Sequence, residues 1–201
     1  MPTRFTQQNQ RFRPNSKEDQ VVEKAQEHFE RTLIAIRGEL AGSVAALEHP
    51  NHDEALNYGE IFLRDNVPVM IYLLLQNRFA VVKQFLSVSL DLQSTTVQTR
   101  GVFPTSFVEE QGELIADYGQ RSIGRITSVD ASLWWPILCW IYVKRSGDNA
   151  FGSSQRVQRG LQLLLDLVLH PSFEGTPVLF VPDCAFTVSY THLTLPTNRE
   201  V

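Results

Sequence analysis

Apolar residues recur along this chain mostly at helical spacing. Ser16 reads as an N-cap, and Val22, Ala25, Phe29, Leu33 and Ile36 follow at intervals of three or four. That is one apolar stripe, on a helix expected to end near Gly38. Residues 67–76, opened by Pro68, are apolar enough for a buried helix. Past Asn77, the residues Phe79, Val82, Phe85, Leu86 and Leu90 draw a second stripe, so these two helices should pack as an antiparallel hairpin. Residues 94–124, with Gly101, Pro104, Gly112 and Gly119, read as a long irregular connection. Residues 132–145 then predict a helix closed by Gly147, with Pro136 tolerated only in its first turn. Val157, Leu161, Leu164, Leu165 and Val168 predict an amphipathic helix stopped by Pro171, and only residues 177–182 suggest extended chain. The pattern predicts an all-α chain of about five helices, arranged as hairpins with long loops between them.

Composition narrows the setting. With 43% apolar residues in 201, the chain is globular rather than disordered. Its 18 Lys+Arg against 22 Asp+Glu leave a net charge of −4, which argues against a broadly basic surface, and no nucleic-acid partner is expected. The longest apolar runs, residues 67–75 and 134–143, are far shorter than the ~20 residues a membrane helix needs, so no membrane is expected either. Two cysteines, Cys139 and Cys184, lack metal-ligand spacing, and Cys139 reads as a buried reduced thiol.

The two ends call for separate treatment. Residues 1–17 are Gln-rich and carry Arg4, Arg11, Arg13 and Lys17 with no acid before Glu18. They read as a disordered leader, with a basic organelle-targeting tail as the alternative; without a secretory signal the expected location is cytoplasmic. Residues 188–197, Val-Ser-Tyr-Thr-His-Leu-Thr-Leu-Pro-Thr, read as the translation of a sequencing adapter, and residues 198–201 follow it. The folded domain is therefore expected over 18–187, with 188–201 an artefact tail; a Thr-rich edge strand is the alternative.

No phosphate-cradling glycine loop, His-Glu-x-x-His or Gly-x-Ser-x-Gly occurs. His49 and His52 flank a Pro-Asn turn without a third ligand, so they read as solvated histidines and no metal is expected. What remains is carboxylates beside aromatics where loops enter helices. Arg64 and Asp65 precede an apolar helix, and Asp130 precedes the pair Trp134 and Trp135. Asp65 or Asn66 and Asp130 can each serve as plain helix caps. Their recurrence, with Asp183 after a Leu-Phe-Val-Pro run, also suits a sugar pocket. There, aromatic faces meet the ring and carboxylates accept from its hydroxyls.

Three segments carry a resemblance: Asn57-Tyr-x-x-x-Phe-x-Arg-Asp65, Ser122-Ile-Gly-Arg-Ile-Thr-Ser-Val-Asp-Ala-Ser-Leu-Trp-Trp135, and Pro177-Val-Leu-Phe-Val-Pro-Asp183. In that order they are similar to the neutral/alkaline invertases, glycoside hydrolase family 100. The resemblance implies an incomplete (α/α)6 barrel, about the first half of its helical hairpins. It implies hydrolysis of sucrose to glucose and fructose by an inverting, metal-free acid/base pair with no cofactor, and a homo-oligomer for a full-length parent. Tyr58, Arg64, Asp65, Asp130, Trp134 and Trp135 match family positions and are the expected glucose pocket. The family continues from Pro-Asp into Met-Ile-Asp-Arg, where this chain has Thr187-Val-Ser-Tyr190. The general acid is thus either Asp183 or the Asp whose place Ser189 takes. The catalytic Glu falls outside the chain, so the 201-residue chain itself is expected to be inactive. Asn66 stands where an aromatic is common, and Pro136 follows the Trp pair. The competing readings are a trehalase- or glucoamylase-like enzyme on the same barrel, and a non-catalytic helical interaction module that would expose both tryptophans.

Overall fold

The computed structural model describes residues 16–45, 58–96, 99–119, 126–127, 129–170 and 185–186. Asp183, Cys184, His49, His52, Pro171, the extended segment 177–182, residues 1–15 and the tail 187–201 lie outside the described residues. The chain divides into two units, residues 1–31 and 32–201.

Helix α1 (Lys17–Thr32) occupies most of the described part of the first unit, and none of its residues is buried. The expected cap is present. Ser16 Oγ accepts from the Asp19 amide, and the Ser16 amide donates to Asp19 Oδ2, both at 3.1 Å.

The predicted helix does not reach Gly38. Residues Leu33–Ile36 form strand β1, paired antiparallel with β2 (Glu39–Ser43) through a turn in which Arg37 and Gly38 both have positive φ. The register shifts between Ile34 and Ala35, where Ala41 of β2 is the extra residue. Leu33 and Ile36 are both buried although three apart, which imitates a helical stripe.

Strand β3 (Ile61–Phe62) runs straight into α2 (Leu63–Leu75), and α3 (Phe79–Asp91) returns after residues 76–78 as the expected hairpin. Val82, Phe85, Leu86 and Leu90 of its stripe are buried. The connection expected to be irregular contains a second hairpin. Strand β4 (Ser106–Glu110) pairs with β5 (Glu113–Asp117) about a Gln111–Gly112 turn, and the sheet order is β3-β4-β5. A short parallel pair joins β6 (Ile126–Thr127) to β7 (Ala185–Phe186). The described residues are mostly helical, but the all-α expectation is corrected by these three small sheets.

Helix α4 (Val129–Ser146) begins earlier than predicted, so Pro136 lies in its interior rather than its first turn. There it denies the Ser132 carbonyl a helical donor. One-turn α5 (Asn149–Gly152) and α6 (Gln155–Val168) complete the described helices. In α6 the buried face is Val157, Gly160, Leu163, Leu164 and Leu167, so Leu165, expected inside, is exposed. The core lies where α2, α3 and α4 meet the β3-β4-β5 sheet. Phe85, Phe103, Phe107 and Trp135 are fully enclosed there.

Candidate functional site

The motif from Tyr58 to Asp65 covers a turn, strand β3 and the first turn of α2. Pairing of Ile61 with Phe107 and of Phe62 with Ser106, with the Leu63 amide donating to the Thr105 carbonyl at 2.9 Å, fixes where α2 starts. Phe62 is its N-cap residue and makes no side-chain capping bond. Capping by Asp65 or Asn66 is thereby ruled out, because both lie inside the helix.

Asn66 has a different task. Its Oδ1 accepts from the Ser43 amide at 2.7 Å, and its Nδ2 donates to the carbonyls of Ser43 and Phe62 at 2.9 Å each. A buried carboxamide with its hydrogen bonds made is a rivet rather than a ligand group, and it ties β2 to α2.

Arg64 and Asp65, on the same turn, face outward. Arg64 Nε stands 3.5 Å from Asp65 Oδ1, and its Nη1 stands 3.6 Å from Asp130 Oδ1 in the first turn of α4. Two carboxylates from two helices, far apart in sequence, therefore share one guanidinium. All three are substantially exposed, and the separations are those of loose ion pairs rather than short hydrogen bonds. Asp130 is inside α4, so it does not occupy the capping position either.

The two tryptophans diverge. Trp134 follows Asp130 by four residues, which puts both on one face of α4, and its ring is 38% exposed. Trp135 is 0% exposed. It stacks on Phe103 at 4.8 Å and donates its Nε1 hydrogen to Ser89 Oγ at 2.9 Å. Trp135 is core, and its place in the expected glucose pocket is withdrawn. Tyr58, 42% exposed, holds the Ala45 amide through its carbonyl at 3.1 Å and so anchors the neighbouring wall.

That wall belongs to a cavity of about 150 Å³ lined by Val44, Ala45, Glu60, Phe62, Asp65 and Val69 among others. Asp65 thus touches the cavity on one side and Arg64 on the other. Glu60, 7% exposed, accepts from Ser106 Oγ at 2.5 Å; nothing in the helical or motif pattern singled it out. Its only sequence signal is a carboxylate just before a two-residue strand. A larger hollow of about 400 Å³ lies between α4, α5 and α6 around Trp140 and Leu161, and its lining has no carboxylate. Cys139, which borders it, is reduced, and burial pushes its thiol up to about 11. Among the described residues no three His, Cys, Asp or Glu side chains converge as metal ligands, and no helix is long and apolar enough to cross a membrane.

The sequence model described as alkaline and neutral invertase matches residues 25–192. The chain belongs to the alkaline and neutral invertase family. Its relatives include alkaline/neutral invertase CINV2 of Arabidopsis thaliana, 35% identical over 81% of this chain and 31% of the relative. Cytosolic invertase 1 of Oryza sativa subsp. japonica is 34% identical over 81% and 31%. Neutral/alkaline invertase 1, mitochondrial, from the same rice is 36% identical over 76% and 27%. The chain spans about a third of the length of these invertases, whose names place them in different compartments.

Proposed function

We propose that this chain carries the glucose-binding side of a sucrose-hydrolysing enzyme. The observation that carries the reading is the convergence of Asp65 and Asp130 on Arg64, with the exposed ring of Trp134 one helical turn beyond Asp130. Carboxylates accept from sugar hydroxyls, a guanidinium holds the carboxylates in place, and an indole face packs on the ring. The exposed side of this cluster is compatible with a ligand; an internal brace would be short and enclosed.

The reaction proposed is the family's: hydrolysis of sucrose to glucose and fructose, inverting and metal-free, on an (α/α)6 barrel of which these helices form part. A protonated carboxyl assists the leaving group and a second carboxylate activates water, the two standing ~6.5–9.5 Å apart. Asp183 is the acid this chain can offer, and the base is assigned to no residue of it. Accordingly the 201-residue chain by itself should release no glucose from sucrose. A cytosolic setting fits the printed name of one relative.

The test is glucose release from sucrose, trehalose and maltose by a family-length protein carrying this segment. Sucrose cleavage that Asp65→Asn or Asp130→Asn reduces by about 100-fold or more supports the reading. Trehalose or maltose cleavage without sucrose cleavage replaces it with the trehalase- or glucoamylase-like alternative.

A further inference from the structure

Asn66 is an unfavourable residue for its place. It lies inside α2 and is 2% exposed. Asparagine is a poor former of helix interiors, and a buried carboxamide destabilises unless its polar atoms find partners. Here each does. Oδ1 accepts from the Ser43 amide at 2.7 Å, and Nδ2 donates to the Ser43 and Phe62 carbonyls at 2.9 Å each. One side chain therefore holds both backbone groups of a β2 residue and closes back onto the N-cap residue of its own helix. The strand is shaped for this clasp. Gly42 precedes Ser43, and a Cβ there would stand 2.7 to 3.0 Å from the Ile61 side chain, so glycine lets β2 run close against β3 where α2 begins.

The turn that the clasp secures carries Arg64 and Asp65 on its outer side. A first helical turn frays most readily, because its leading N–H groups have no acceptor within the helix, and Phe62 gives no side-chain cap. Leu63 is anchored through its amide to the Thr105 carbonyl, and Asn66 is anchored to β2. Arg64 and Asp65 lie between these two anchors. We propose that Asn66 is a positioning residue of the sugar site: by clasping Ser43 it holds this turn so that Asp65 and Arg64 keep the geometry a sugar hydroxyl requires. The proposal rests on the sugar-site reading above and adds a residue that touches no substrate and acts through Asp65. The separations of 3.5 and 3.6 Å in the Arg64 cluster make such support necessary, because long, exposed ion pairs do little to hold their own geometry.

The experiment is a double-mutant cycle on a family-length protein carrying this segment, with sucrose kcat/KM per folded enzyme and melting temperature taken from the same preparations. Asn66→Asp keeps the acceptor for the Ser43 amide and loses both donated bonds. Asn66→Ser loses the clasp on Ser43 but can still donate to the carbonyl four residues back, as Ser89 does to Phe85 in α3. Each should lower kcat/KM by about tenfold or more when Asp65 is present. In an Asp65→Asn background each should lower it by about twofold or less, because the residue Asn66 acts through is already disabled. The fall in melting temperature should be the same in both backgrounds. A kcat/KM for folded Asn66→Ser within about twofold of the unsubstituted enzyme overturns the proposal and leaves Asn66 a purely structural residue. An equal fold-loss with and without Asp65 overturns it as well. Asn66→Ser decides alone if Asn66→Asp does not fold, and failure of both to fold overturns a role centred on the site. All of these outcomes leave the sugar-site reading in place; only an unchanged kcat/KM in Asp65→Asn by itself removes that reading, and the positioning role with it.

Discussion

Asp148 and Asp130 each stand at the start of a helix beside a long cation from another helix, yet their ion pairs differ in length and exposure. Asp148 Oδ1 caps α5 by accepting from the Phe151 amide at 3.0 Å. Its Oδ2 takes Lys83 Nζ at 2.7 Å and the Tyr142 hydroxyl at 2.9 Å. Lys83 also lies 5.6 Å from the Phe151 ring centroid. The Lys83 hydrogen bond, followed by those of Phe151 and Tyr142, holds the Asp148 carboxyl down at about 2. Asp130 lies inside α4, and its Oδ1 stands 3.6 Å from Arg64 Nη1, whose guanidinium Asp65 also approaches. The Lys83–Asp148 pair is short, and the Arg64–Asp130 pair is long with its carboxylate more exposed. Position at a helix start does not separate these two acids; the length and exposure of their ion pairs do.

The sharpest break in this contrast lies just past Asp130. Trp135→Ala should lower unfolding free energy by ~3–5 kcal/mol, because it empties a fully enclosed site and leaves Ser89 without its indole donor. Trp134→Ala should cost about 1 kcal/mol or less, as an exposed ring does. Urea unfolding of both variants measures the difference. Equal losses would mean that α4 does not divide into a core face and a ligand face.

Next in size is the pair of acids itself. Asp148→Ala should cost ~1–2 kcal/mol through the lost cap and its two side-chain partners. Asp130→Ala should stay within about 0.5 kcal/mol, the range of an exposed ion pair. The same urea series reads both, and a reversal of that order would exchange their roles.

A smaller effect appears on the pH axis. The folded Asp148 carboxyl sits near 2, below its ordinary ~3.9, so its contribution is present above about pH 4 and lost as pH falls toward 2. Asp148→Asn should flatten the acid limb in that window. At the other end, burial, followed by the hydrogen bond to Asp148, raises the Tyr142 hydroxyl to about 12. Its contribution is present below about pH 10 and lost as pH climbs toward 12, and Tyr142→Phe should flatten that limb. Urea midpoints across pH report both.

Much of this was legible in the residues. The hairpin of α2 and α3 follows from stripes at helical spacing on either side of Asn77, because both helices bury one face. The motif pairs Arg64–Asp65 and Asp130–Trp134 were found where loops enter helices, and the fold brings them together. The first sheet was hidden because Leu33 and Ile36, both buried and three apart, continue the spacing of the preceding helix. The second was hidden because neither of its five-residue strands, Ser106–Glu110 and Glu113–Asp117, alternates apolar with polar residues. Trp134 and Trp135 are indistinguishable by type; only the ~100° step between helical neighbours assigns one to solvent and the other to Phe103. Glu60 was missed because its meaning comes from Ser106, forty-six residues away across a strand pair.

Under the proposed function, the Arg64 cluster serves a ligand and not the fold. Asp65→Asn tests it most directly, because Asn keeps the shape and removes the charge beside Arg64. The measurement is made on a family-length protein carrying this segment, with sucrose kcat/KM and melting temperature taken from the same preparation. The account predicts a fall of about 100-fold or more in kcat/KM with the melting temperature within about 2 °C of the unsubstituted protein. An unchanged kcat/KM beside a melting temperature lowered by several degrees would contradict it, and would make Asp65 a structural carboxylate like Asp148.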